Sequence, residues 1–167
     1  MKCTIAVFTF IILLAGINCM AQSRVDVTEK SVGPYPLLWD VALAPGIVVK
    51  RSYNSDFVLG FETRVEKKFN ANVAWMASAG YTNFSNSNGF ITAKGGLKIF
   101  LAPKVYLAGE IGFGEYTQGG EAFIYAPSFG IMAGKKWDLS LKYESFESTT
   151  GYPSQVALRV GYKLSKN

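Results

Sequence analysis

Acid–base or nucleophilic chemistry in this chain would have to be built from carboxylates, lysines, arginines and serines. Its 167 residues include no histidine and only two cysteines. The charged side chains that stand out by spacing are Glu62, Arg64 and Glu66, then Lys94 and Lys98, Glu110, Lys142 and Glu144, and Arg159. A step of two places neighbours on one face of an extended strand. Glu62 and Glu66 are arithmetically an acid/base pair, but with Arg64 between them and Lys68 beyond they read better as ion-pair partners. Ser128 and Ser140 have no visible base, and lysine alone is a less common activator. A metal site would lack imidazole and thiolate, and no clustered acidic loop suggests calcium. Gly95-Gly96 and Gly119-Gly120 stand outside any phosphate-loop context. The expectation is a protein without catalytic residues, cofactor or metal.

Bringing those charges together requires strands. From Phe57 to Phe84 the chain reads FVLGFETRVEKKFNANVAWMASAGYTNF. Phe57, Leu59, Phe61, Thr63 and Val65 alternate with Val58, Gly60, Glu62, Arg64, Glu66 and Lys68. After a turn at Lys67–Asn72, Val73, Trp75, Ala77, Ala79 and Tyr81 alternate with Ala74, Met76, Ser78, Gly80 and Thr82. Period two marks a β-strand, and each arm is well beyond the usual length of about five or six residues. The same alternation predicts strands over Trp39–Ser52, Phe57–Lys68, Asn72–Phe84, Phe90–Leu101, Lys104–Tyr116, Ala122–Gly134, Lys136–Glu147 and Ser154–Leu164. Pro45 cannot donate a ladder hydrogen bond and should weaken or bulge the first of these. Hairpin-length links join them without a helix signal, and an even count lets the last strand close on the first. The expected fold is all-β: an eight-stranded antiparallel up-and-down transmembrane β-barrel preceded by a cleaved signal peptide.

The leader assignment covers residues 1–21. Lys2 supplies a positive start, Ile5 to Ile17 is almost wholly apolar, and Cys19-Met20-Ala21 offers small residues at a cleavage site. A lipidated Cys19 is the competing reading. Both cysteines, Cys3 and Cys19, fall in this leader, so no disulfide or thiol chemistry is expected beyond it. Residues 22–38 read as an N-terminal periplasmic tail, polar and charged up to Pro34 and Pro36, and 39–167 as the barrel. The net charge of +5 falls to about +4 without Lys2, a modest excess that does not argue for nucleic acid. No later apolar run reaches the roughly 18 residues of a membrane helix, so any membrane crossing must use strands.

One face of these strands is large and apolar; the other is small or charged. The second set includes Gly46, Gly60, Gly80, Gly96, Gly112, Gly130 and Gly161, which suits the crowded inside of a narrow barrel. The apolar face carries aromatics near strand ends: Trp39, Trp137 and Tyr162 at one end, Tyr53, Phe57, Tyr81, Phe113, Phe123 and Tyr143 at the other. Such aromatics form interfacial girdles when the apolar face meets lipid. With this architecture, the leader and the closing segment VALRVGYKL at 156–164, the chain resembles the small eight-stranded outer-membrane β-barrels of Gram-negative bacteria, of the OmpA-transmembrane-domain, OmpX and OmpW type. The closing strand resembles their assembly signal, although its last outward residue is Leu164 and not an aromatic. The resemblance implies the cell outer membrane as location.

Eight strands leave a bore just wide enough for side chains to fill. The inward set is Lys50, Arg64, Lys68, Lys94, Lys98, Lys142, Arg159 and Lys163 against Asp40, Glu62, Glu66, Glu110, Asp138 and Glu144. It should form a salt-bridged plug, with Lys94 or Lys98 on Glu110 and Arg159 on Glu144 or Glu66. The termini and the tight turns should share one side, the periplasmic one. The functional expectation is a non-enzymatic structural or interaction protein, including an accessory subunit of a larger envelope complex. Its partners would be outer-membrane lipid and a protein of the outer membrane or periplasm. The alternative is an OmpW-like narrow channel for small hydrophobic molecules or ions.

Overall fold

In the computed structural model, residues 35–49, 57–84, 89–117, 119–147 and 154–164 are described. They belong to the unit Pro34–Asn167; the leader and nearly all of the tail lie outside the described residues. Eight strands follow one another: β1 Leu38–Val48, β2 Phe57–Lys68, β3 Val73–Phe84, β4 Gly89–Ala102, β5 Val105–Tyr116, β6 Glu121–Ala133, β7 Trp137–Glu147 and β8 Ser154–Lys163. They form a closed barrel in sequence order, every neighbouring pair antiparallel, with β8 returning to β1. Leu38, assigned from sequence to the tail, already pairs with Glu66. The first strand ends at Val48; of its expected extension, Val49 still donates to the Ser154 carbonyl at 2.8 Å, and 50–52 lie outside the described residues.

Alternation fixes which side of the wall each residue takes. In β6, Phe123, Tyr125, Phe129 and Ile131 are exposed, whereas Ala122, Ile124, Ala126, Ser128 and Gly130 are buried. The tight turns have local causes. The Asn70 side-chain oxygen accepts the N–H groups of Asn72 at 2.9 Å and Val73 at 2.8 Å, closing the β2–β3 link as an Asx turn. In the β6–β7 turn Gly134 sits at φ +70°, a conformation that a side chain would oppose.

Two prolines interrupt the wall. β1 pairs with β8 on either side of Ala44 and Pro45 but not through them, while both residues pair normally with β2. β6 does the same at Ala126 and Pro127, broken towards β7 and continuous towards β5. A ring nitrogen without hydrogen explains both gaps. The β7–β8 hairpin therefore lies between the two interrupted seams of the barrel.

The interior is layered. Towards the end with the longer loops, Val58, Phe84, Phe90, Tyr116, Ala122, Ile124 and Phe146 pack into an apolar cluster. Phe90 lies at its centre, 4.4 Å from Tyr116 and 4.9 Å from Phe146 between ring centroids. Towards the tight-turn end, on the β3–β5 side, Ala74, Met76, Phe100, Tyr106 and Ala108 form a second cluster, with Met132 against it. Charged side chains fill the rest of the height and share the level of the second cluster, where Glu66 stands opposite Met76 and Asp138 opposite Met132 in the ladder.

Candidate functional site

The charged layer is built by period two acting on six strands. β1 contributes Asp40; β2 Glu62, Arg64 and Glu66; β4 Lys94 and Lys98; β5 Glu110; β7 Asp138, Lys142 and Glu144; β8 Arg159. All eleven are buried, each 6 % exposed or less. Charges so far from water survive only when paired and hydrogen-bonded. Glu62 is the hub. Its Oε1 accepts from Arg64 Nη2 at 3.0 Å and Arg159 Nε at 2.7 Å, and its Oε2 from Lys142 at 2.7 Å and Lys94 at 3.1 Å. Lys94 and Lys142 also share Glu144, whose other oxygen accepts from the Gln155 amide. A second group lies nearer the tight-turn end. There Lys98 binds Glu66, and Asp138 at 3.0 Å, while Tyr106 donates its hydroxyl to Asp138. Arg159 donates to Asp40 as well as Glu62, and joins the two groups through its Nη1, 3.9 Å from Asp138 Oδ1.

Six carboxylates face five cations in this layer. Two further cations, Lys68 and Lys163, lie half-buried at the rim, and Lys163 is within electrostatic reach of Glu66, Asp138 and Asp40.

All nine side chains expected from sequence in the lumen network meet there, but the expected pairings need correction. Neither Lys94 nor Lys98 binds Glu110; that carboxylate takes Arg64 Nη2 at 3.1 Å and the Ser78 hydroxyl at 2.7 Å. Arg159 binds neither Glu144 nor Glu66 but Asp40 and Glu62. The expectation, Arg159 with Glu66 apart, started from hairpin neighbours, whereas a closed bore lets a long side chain cross to strands far away in the ring. Lys94 of β4 thereby reaches Glu144 of β7 and gains two carboxylates instead of one. Ser78 sits between Arg64 and Lys94 in the ladder. Its small side chain leaves room for the guanidinium to pass to Glu110. Tyr106, Ser78 and Gln155 were not foreseen as partners; the available signal was inward parity, for Tyr106 and Gln155 in strands that carry charge and for Ser78 in a strand between two that do. Lys68, expected inward, lies half-buried at the rim with its ammonium 4.4 Å from the Phe100 ring centroid. Lys50 lies outside the described residues.

The outer face is a belt of large apolar side chains. Phe113 is 69 % exposed, Ile111 62 %, Leu43 56 % and Leu141 57 %, values that no water-facing wall of this extent sustains. Of the expected girdle, Trp39 and Trp137 are exposed at the tight-turn end, with Tyr162 half-buried and edge-on to Trp137 at 5.1 Å. Phe57, Tyr81, Phe113 and Phe123 are exposed towards the loop end, and Tyr143 is half-buried beside Tyr125. Tyr53 lies outside the described residues. Trp75, absent from the expected set, belongs to the tight-turn group opposite Lys67.

A closed eight-stranded antiparallel barrel, apolar outside and charged within, defines the architecture of small transmembrane β-barrels. Solved structures share it. The attachment invasion locus protein Ail of Yersinia pestis, in complex with the heparin analogue sucrose octasulfate, superposes with a TM-score of 0.59 at 17% identity, over 77% of this chain and 97% of that one. The de novo designed barrel TMB2.3, solved by solution NMR, gives 0.56 at 16% identity over 82% of this chain and 100% of the design. No protein-family model and no curated protein matches the chain. At such identities the likeness is one of fold, and a designed barrel shows how little the architecture says about activity.

Proposed function

We propose that this protein is a non-enzymatic integral barrel of the outer membrane that acts through its wall and rims, not through its bore. The observation that carries this reading is the filled interior, buried ion-paired charge packed with two apolar clusters, inside a wall whose apolar residues face outward. A conduit needs a continuous wet or apolar path, and Arg64, Lys98, Lys142 and Arg159 occupy the middle of this one, each 2 % exposed or less. The serines weighed for nucleophilic chemistry also lack support. Ser128 faces Lys142 and Ser140 faces Arg159 across the ladder. Lys142 is committed to Glu62 and Glu144, and an arginine does not act as a base.

Within this reading the protein is a structural or interaction subunit, including an accessory subunit of an envelope complex, with lipid around its wall. Planar-bilayer recording on the purified protein tests it. No reproducible conductance steps are expected; steady ohmic conductance abolished by substituting Arg64 or Lys94 would move the protein to the channel class. Removing residues 22–36 should spare barrel folding, since β1 begins at Leu38, and should weaken a complex that co-purifies through the tail.

A further inference from the structure

Among the described residues the two rims of the barrel carry opposite charge. Exposed at the tight-turn end stand Lys67 closing β2, Lys104 in the β4–β5 turn, and Lys135 and Lys136 in the β6–β7 turn, with the half-buried Lys68 and Lys163 on the inner side of the same rim. Backbone hydrogen bonds set these turns beside the neighbouring strands at one level: Lys163 N–H to the Lys136 carbonyl at 2.8 Å, Met132 N–H to that of Lys104 at 2.7 Å. The carboxylates of this half, Asp40, Glu66 and Asp138, are buried and paired inside. Among the described residues every exposed carboxylate, Glu115, Glu121 and Glu147, lies at the other rim. The two rims partly cancel in the net charge, so composition conceals the asymmetry.

The lysines stand at the level of the turn-side aromatics. Lys136 Nζ donates to the Tyr162 hydroxyl at 3.1 Å and lies 5.5 Å from its ring centroid, and Lys67 pairs across the ladder with Trp75. Aromatic rings of this kind settle where acyl chains give way to headgroups. Lysine stems there run along apolar surface while the ammonium reaches the phosphates. The lysines are spread over three turns and a strand end instead of converging on one concavity, which suits many separate headgroups and not a single soluble anion.

We propose that this collar binds the phosphates of anionic phospholipids in the leaflet on the turn side, fixing the direction and depth at which the barrel sits. The proposal rests on the membrane reading above, and its test separates the two. The full chain purified from membranes is placed in phosphatidylcholine bilayers containing a minor share of phosphatidylglycerol. Electron paramagnetic resonance then compares the motionally restricted fractions of each lipid, spin-labelled on its acyl chain. A lysine beside an anionic surface favours it by about fivefold, screened over roughly 10 Å at 0.1 M salt. Restricted phosphatidylglycerol should therefore exceed its bulk share several-fold at low salt and approach it at high salt. The combined variant Lys67→Gln, Lys104→Gln, Lys135→Gln and Lys136→Gln should lose the excess. Glu115→Gln, Glu121→Gln and Glu147→Gln together should keep it. Equal selectivity for the two lipids, or an excess unchanged by the lysine variant, would overturn the collar and leave the membrane reading intact. Absence of any restricted phosphatidylcholine would overturn the membrane reading itself. Inorganic phosphate displacing the anionic lipid more strongly than chloride at equal ionic strength would also overturn the proposal, marking a site for a free anion.

Discussion

Glu62 carries an unusual share of the interior, because four cations converge on its two oxygens. Replacing it by glutamine keeps the volume but leaves those cations one charge short in a site buried from solvent. Breaking a buried pair of this kind costs about 3–5 kcal/mol. Glu62→Gln should lower unfolding stability in lipid vesicles by that order, read from the urea midpoint, whereas rim substitutions such as Lys104→Gln should stay within about 0.5 kcal/mol. An unchanged midpoint would mean that the lumen is wet. Which charges share the bore was legible from parity alone, but who binds whom was not. Partner choice depends on reach across the ring, and a linear sequence shows only adjacent hairpins.

Among elements, β5 and β6 are matched by shape as well as by hydrogen bonds. Tyr106 and Gly130 stand opposite one another, and a Cβ built at Gly130 would run into the Tyr106 ring and the Ser140 side chain. Outward-facing Gly109, in β5, has nothing within 4 Å of such an added carbon. Gly130→Ala should destabilise the barrel by about 1–3 kcal/mol, as overpacking does. Gly109→Ala should be neutral or stabilising by about 0.5–1 kcal/mol. Equal effects in a thermal or urea series would show that the ring does not lie over Gly130. The prolines act at the same scale. Amide exchange should be faster in β7 and β8, bordered by the gaps at Pro45 and Pro127, than in β2 and β3, whose ladders run unbroken. Protection equal in both pairs would argue that the seams are closed by other means. Pro45 was flagged by its residue type. Pro127 passed unnoticed because Phe123, Tyr125, Phe129 and Ile131 keep the alternation around it intact. The consequence for β7–β8 required knowing that both gaps face the same hairpin.

For the whole molecule, the eight-strand count and the closure of β8 on β1 were readable, because a long two-faced strand has few ways to satisfy its edges. The layering was not. Phe84, Phe90 and Phe146 share the inward parity of the charged residues, and only the barrel's geometry gathers them at one end, beyond the charges. The central claim is a wall that faces lipid around a bore that admits neither lipid nor water. Spin-label accessibility along β6 tests it directly, using a cysteine introduced at one position at a time in protein reconstituted into phosphatidylcholine vesicles. Labels at Phe123→Cys, Tyr125→Cys and Phe129→Cys should collide with oxygen dissolved in the bilayer and not with a water-soluble nickel chelate. Labels at Ile124→Cys, Ala126→Cys and Ser128→Cys should be shielded from both. Contact of the inward set with the nickel chelate, or of the outward set with it in place of oxygen, would contradict the claim.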